Sequence, residues 1–310
     1  MTCRLLYPYS PEPLIFTGGK FSVSDRNIKM PQDRYIKISN VNTRYWAEGN
    51  KGSNVILIHG LGASADIWMH NISAIASGYR VYAPDLVGFG RSDKPDVKYS
   101  PSYMSTFIND FMTALDIKDA CLIGQSLGGG IALVNQLHFP GMVQKLVLVD
   151  SAGLGRDMPL VMRLATVPVM GELMLMPSRA GMAFVLRHLV YDPSVITDKL
   201  IDIHFDINFN RGGAKTVLNV LRACATIHGA RPDVLDSVMQ HLDNIKIPTL
   251  IIWGREDRLF PVMHACFAKE KMPDSYLYIF DRCGHMPNFE RPEEFNTVVL
   301  NFLAGHSLHL

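Results

Sequence analysis

The sequence predicts an α/β protein: a mostly parallel, twisted sheet with helices on both faces and a helical cap inserted between two of its strands. Three observations predict it. Strand-length apolar runs alternate with helix-periodic segments from Val55 to Val149, the signature of a parallel sheet with crossover helices. One of these runs, Ala120 to Ile123, meets a glycine-ringed serine and passes at once into helical spacing at Ile131, Leu133, Val134 and Leu137. From about Ala152 to Asn244 the strand signal is replaced by helical periodicity, and it resumes at Pro248 to Trp253 and Tyr276 to Phe280.

Taken in order, residues 1 to 33 form a Pro- and Gly-containing extension that carries no chemistry. Arg34 to Ser39 and Thr43 to Glu48 alternate apolar and polar residues across Asn40, Val41 and Asn42, which predicts an antiparallel hairpin. Val55 to Ile58 reads as a strand buried on both faces, ending at His59 and Gly60. A strand at Arg80 to Ala83, a helix around Tyr103 to Leu115 and a strand at Lys145 to Val149 follow. The helix after the serine stops at Phe139 and Pro140, because proline cannot continue it. The domain reading is therefore an extension at 1–33, a core at 34–151 and 245–310, and a helical cap at 152–244. Met158, Met162, Met170, Met174, Met176 and Met182 give the cap an adaptable apolar character, either lining a pocket or packing the cap onto the core.

Composition bounds the function. At 310 residues and 48% hydrophobic content the chain can build a substantial core. A formal net charge of +1 without long basic runs argues against a nucleic-acid partner or an anionic membrane surface. Five cysteines, Cys3, Cys121, Cys224, Cys266 and Cys283, are odd in number and widely spaced, which argues against a disulfide scaffold or zinc site and for a reducing compartment. The early prolines interrupt any signal peptide, and the apolar stretch Leu160 to Val190 is broken by Arg163, Glu172, Arg179 and Arg187, so no transmembrane segment is expected. The expectation is a cytoplasmic protein; a homo-oligomer is left open.

Gly124-Gln125-Ser126-Leu127-Gly128 matches the pattern of a serine held on a strained strand-to-helix turn. Glycines two before and two after the serine let strand and helix approach closely. The helix behind Ser126 aims free backbone N–H groups and its positive dipole end at any oxyanion formed there. The stretch lacks the lysine of a phosphate-binding loop, and no metal-ligand spacing appears, so neither a cofactor nor a metal is called for.

With this motif stand Ile58 to Gly62, Pro84 to Ser92, Trp253 to Asp257 and Cys283 to His285, all in one order. In these motifs the chain resembles the α/β-hydrolase fold of serine hydrolases, from about Tyr35 to the C-terminus. The resemblance implies a Ser-acid-His triad. Ser126 is the nucleophile. His285, in a loop that Gly284 and Pro287 keep from being helical, is the base, and its competitor His59 sits at a strand end where it would hold the loop. Asp257 is the acid in the fold's chain order. Its rivals are Asp150, which ends the preceding strand, and Glu256. The backbone N–H groups of Leu61 and Leu127 form the oxyanion hole, while Asp85, Gly88, Gly90, Arg91 and Ser92 read as scaffold and Gln125 as packing locally.

The expected activity is hydrolysis of a small apolar carboxylic ester or related carbonyl compound through an acyl-enzyme. A serine in place of an aspartate counts against epoxide hydrolase and haloalkane dehalogenase. Two alternatives stand beside it. One is a non-enzymatic ligand receptor on the same fold. The other is C–C bond hydrolysis of vinylogous 1,5-diketones, because Asp150 to Gly155 and Val190 to Leu200 are similar to the meta-cleavage hydrolases. The chain departs from those enzymes at Gln125, where they tend to have asparagine, and at Met286, where they have tryptophan. Its oxyanion loop also lacks their further Pro-Gly. Their substrate-binding arginine falls at His204, which leaves Arg187, Arg211 and Arg222 in the cap as candidates for the missing cation.

Overall fold

The computed structural model describes residues 30–306. Its strands are β1 (Arg34–Ile38), β2 (Val41–Glu48), β3 (Asn54–Ile58), β4 (Arg80–Pro84), β5 (Ala120–Gln125), β6 (Val143–Val149), the two-residue β7 (Ala225–Thr226) and β8 (Gly229–Ala230), then β9 (Thr249–Gly254) and β10 (Ser275–Phe280). Eight of them form one sheet in the order β1-β2-β4-β3-β5-β6-β9-β10. The pairs β1/β2 and β2/β4 are antiparallel, and from β4 across to β10 every pairing is parallel. This is the expected α/β architecture.

The helices α1 (Ile72–Ala76), α2 (Pro101–Ala114), α3 (Leu127–His138), α4 (Leu160–Ala165), α5 (Met170–Met174), α6 (Arg179–Leu189), α7 (Asp198–Phe205), α8 (Gly213–Cys224), α9 (Pro232–Met239), α10 (Met263–Lys271), α11 (Pro287–Glu290) and α12 (Pro292–Leu303) complete the described chain. Side chains alternate across the sheet with the period of two that a strand imposes. Ile56, Ile58, Leu122, Leu146, Leu148, Ile251 and Trp253 enter one core with α2, α3 and α10. Val55, Leu57, Ile123, Val147, Val149, Leu250 and Ile252 enter a second core, on the other face, with α1 and α12. Because both faces are covered, the central strands read as continuous apolar runs. Between the neighbours β6 and β9 run the helices α4 to α9.

Several local expectations are corrected. The opening hairpin turns at Ser39 and Asn40, with Ile38 opposite Val41, so β2 begins two residues earlier than the alternation implied. The insertion does contain strand pairing: β7 meets β8 through a two-residue turn, too short to leave an alternation in the sequence. Met170 and Met174 lie on the outside at 40% or more exposure, because α5 buries only Gly171, and Met176, just beyond α5, is 61% exposed. Residues 1 to 29 of the expected extension lie outside the described residues, but Asp33 is not inert: its carboxylate accepts hydrogen bonds from Arg44 and Trp46. Among the described residues Cys121, Cys224 and Cys283 are free thiols. Among the described residues, no helix is long and apolar enough to cross a membrane.

The turn from β5 into α3 depends on two missing Cβ atoms. A Cβ on Gly124 would lie 2.3 Å from the carbonyl oxygen of Gly128, and one on Gly128 would lie 2.2 Å from that of Ile58. Both obstacles are backbone, which cannot rotate away. Gly128→Ala should therefore lower stability by about 1–3 kcal/mol in urea unfolding, as overpacked cores do. A loss below about 0.5 kcal/mol would show that α3 can move off β3 freely.

Candidate active site

Ser126 closes β5 and opens α3 at φ 55 and ψ −119, outside the wells that side chains ordinarily occupy. The backbone on either side anchors it: its N–H donates to Val149, and its carbonyl accepts from Gly129, Gly130 and Ala152. The amide of Leu127 lies at the N-terminus of α3. The Gly60 turn lies against the serine, since a Cβ there would sit 3.1 Å from that of Ser126.

The carboxylate of Asp257 and the ring of His285 meet at 2.8 Å between Oδ2 and Nδ1. The second oxygen of Asp257 accepts the Leu259 N–H at 2.7 Å, and the side chain of Asp257 is fully buried. With Nδ1–H donating to a carboxylate, Nε2 is left as the basic nitrogen. Phe260 packs edge-on against the ring, with centroids 5.5 Å apart. The backbone of His285 is held on both sides: its N–H donates to Leu189 at 2.7 Å, and its carbonyl accepts from Gln125 Nε2 at 2.9 Å.

The competing residues have other occupations. His59 is fully buried, with Nδ1 at 2.8 Å from the Gly60 carbonyl and Nε2 accepting the Leu86 N–H at 2.9 Å, and burial disfavours its charged form. Glu256 accepts the Cys283 N–H and so braces the histidine loop. Asp150 accepts the Gly254 N–H at 2.9 Å and lies behind Asp257. Possible ligand atoms of Asp150, Asp257 and His285 lie within 4.8 Å of one another, close enough to hold a cation. Two of those atoms are the ones that form the acid–histidine hydrogen bond.

Three contributors escaped the sequence reading. Gln125, expected to bond locally, instead spans 160 residues to the histidine loop. Asn208, in the π-helical turn Asp206–Asn210, donates to the Gly62 carbonyl at 2.7 Å and fixes the loop after β3 from the insertion. Glu290 accepts the Tyr191 and Gly284 N–H groups, tying the insertion to the loop of His285. The unusual π-turn has no sequence signature, and the other two contacts join segments far apart in the chain.

A buried charge cluster supports the loops from beneath. Arg44, 1% exposed, donates to Asp33, Asp66 and Asp85 and stacks on Trp46. Asp85 also accepts the Ala65 and Arg91 N–H groups, which makes the predicted scaffold loop a hydrogen-bonded unit. The Asp66 carboxyl is held below the usual carboxylate range: burial opposes this, but Arg44, Arg91 and the Ser64 hydroxyl outweigh it.

The family model described as "Alpha/beta hydrolase family" matches residues 55–298. The chain is 32% identical over 263 residues to a 2-hydroxy-6-oxo-6-phenylhexa-2,4-dienoate hydrolase of Burkholderia cepacia, covering 83% of this chain and 90% of that protein. Among solved structures it is similar to a meta-cleavage product hydrolase from Pseudomonas fluorescens, with a TM-score of 0.75, 29% identity, and 88% and 97% of the two chains covered. It is also similar to a putative lipase from Acinetobacter baumannii, with a TM-score of 0.77, 25% identity, and 88% and 91% covered.

The charge cluster sets a pH dependence. A carboxyl depressed in the folded state stabilises above its unfolded value, here 3.8, and that stability is lost as pH falls through the lower folded value. Asp66→Asn should thus cost on the order of 3 kcal/mol at about pH 7, as when a buried ion pair loses one partner. In urea unfolding the gap to wild type should shrink at pH values below about 4. An equal gap at both pH values would contradict a charged Asp66.

Proposed function

The chain belongs to the alpha/beta hydrolase family and is an enzyme of the hydrolase class; from its site we propose that it cleaves carboxylic esters through an acyl-enzyme on Ser126. The observation that carries this reading is the buried 2.8 Å bond between Asp257 and His285, together with a strained serine at a strand-to-helix turn. In this mechanism Nε2 of His285 takes the proton of Ser126 as Oγ attacks the ester carbonyl. Asp257 keeps the ring in the tautomer that leaves Nε2 basic and stabilises the imidazolium that forms. The N–H groups of Leu61 and Leu127 receive the oxyanion, each worth about 10²–10³ in turnover in comparable sites. His285 returns the proton to the leaving alkoxide, and a water activated at the same nitrogen releases the acid.

The helical insertion, 152–244, acts as the cap in this reading. Leu61 packs with Met162, Leu175 and Val217 against the cluster Ala165, Leu218 and Leu221, which gives the oxyanion loop an apolar neighbourhood suited to an apolar acyl or alcohol group.

Hydrolysis of a meta-cleavage dienoate is the second reading, favoured by the named relatives. His204 and the three arginines singled out in the sequence, Arg187, Arg211 and Arg222, favour an ester instead. His204, where the resemblance puts the family's substrate-binding arginine, is 5% exposed, bonded to the Leu200 carbonyl, and kept neutral by burial. It cannot pair bidentately with a carboxylate as an arginine does. Arg211 is paired with Asp206, Arg222 forks onto Glu172, and Arg187 is exposed.

An aryl or short-to-medium acyl ester should be turned over at least about tenfold faster, by kcat/KM, than 2-hydroxy-6-oxo-6-phenylhexa-2,4-dienoate, a gap of about 1.4 kcal/mol. A dienoate rate that equals or exceeds the ester rate would overturn the ester reading. Asp257→Asn should lower ester turnover by roughly 10³–10⁴, because an amide favours the wrong tautomer and cannot balance the imidazolium. A loss below about tenfold would remove Asp257 from the acid's role.

A further inference from the structure

Asp150 ends β6 at φ 43, a conformation that aspartate and asparagine tolerate better than most residues. Its side chain is wholly buried. Oδ1 accepts the Gly254 N–H at 2.9 Å, whereas Oδ2 receives no hydrogen bond from any donor. A carboxylate oxygen left in that state beside a second carboxylate is doubly costly: it is a desolvated acceptor without a donor, and it faces a like charge. One proton on Oδ2 removes both costs, because the resulting hydroxyl is a donor facing an acceptor.

The surroundings point the same way. The groups facing Asp150 are Asp257 and His285, Glu290 from α11, and the thiol of Cys283. Burial and the Asp257 charge push the Asp150 carboxyl well above the usual carboxylate range, with Glu290 adding to them and the Gly254 N–H opposing them. Burial also pushes up the Glu290 carboxyl and, well above its usual range, the Cys283 thiol. Of this set only His285 gains a positive charge during turnover.

We propose that Asp150 is a positioning residue held as the neutral acid, whose Oδ2 hydroxyl donates to the Asp257 carboxylate so that the pair presents one negative charge to His285. This rests on the reading of Asp257 as the acid that orients His285. Asp257 is thereby fixed by three donors: the Leu259 N–H, the His285 Nδ1–H and the Asp150 hydroxyl. With that proton on Asp150, the pair carries one negative charge opposite the base rather than two.

Asparagine is the fixed-charge copy of this state: its carbonyl can accept from Gly254 and its N–H can donate to Asp257. Glycine removes both groups but tolerates the positive φ. The test is the rate at which a fluorophosphonate labels Ser126 in the full chain between about pH 5 and 9, a reaction that needs the base but no particular ester. Asp150→Asn should label within about threefold of wild type, with its acidic limb within about 0.3 pH unit. Asp150→Gly should be slowed by about tenfold or more. If glycine unfolds the end of the strand, the asparagine variant decides the question alone.

Three results would overturn the proposal while wild type labels normally. One is an acidic limb in Asp150→Asn lowered by about one unit or more, which would mean that a negative charge had been removed. Another is a loss of about 10³ in that variant, which would make Asp150 itself the orienting carboxylate. The third is wild-type labelling by Asp150→Gly. Failure of the wild-type chain to label would instead overturn the Ser126 reading, and this proposal with it.

Discussion

The structure depends on the contact of α3 with β3 and β5, where Gly128 lies against the Ile58 carbonyl and Gly124 against Gly128. Only at that separation can the chain turn from strand to helix within one residue and leave Ser126 at φ 55. The same contact brings the loop after β3 beside the serine. Strain at Ser126 persists because the sheet, the helix and the Ala152 turn all bond its backbone.

Around that turn the protein repeatedly satisfies buried polar groups with partners from other segments. Arg44 pairs with the carboxylates beneath the Asp85 loop, and the hydrogen bonds of Asp85 from the Ala65 and Arg91 N–H groups transmit that order to the segments on either side. The histidine loop is fixed by Gln125, Glu256, Glu290 and Leu189, three of them on the core and one on the insertion. Such bonds specify geometry because leaving any of these groups unpaired in the interior costs more than the bond itself contributes. The insertion is thus joined to both working loops, by Asn208 at Gly62 and by Leu189 at His285.

The sheet was legible because both its faces are covered: β3, β5, β6 and β9 each hold a continuous apolar run, at Val55–Ile58, Ala120–Ile123, Leu146–Val149 and Leu250–Trp253. The pairing of Asp257 with His285 followed from their strand-end positions in the same way. What escaped was non-local. Arg44 lies within the buried run Thr43 to Trp46, and a charge there demands partners, but the sequence cannot say that they are Asp33, Asp66 and Asp85. Asp150 was weighed as a rival acid because the sequence shows two strand-terminal aspartates, whereas the fold sets them side by side. The β7–β8 pair and the π-turn at Asn208 are too short to impose a period.

The central claim is that Ser126 becomes acylated during turnover. An activated ester mixed with the enzyme and quenched in acid within the first turnover, followed by peptide mass mapping, tests it most directly. The account predicts the acyl group on Ser126, accumulating with the first burst of released alcohol and then decaying to free enzyme. An acyl group on another residue, or multiple turnovers without any covalent adduct on Ser126, would contradict it.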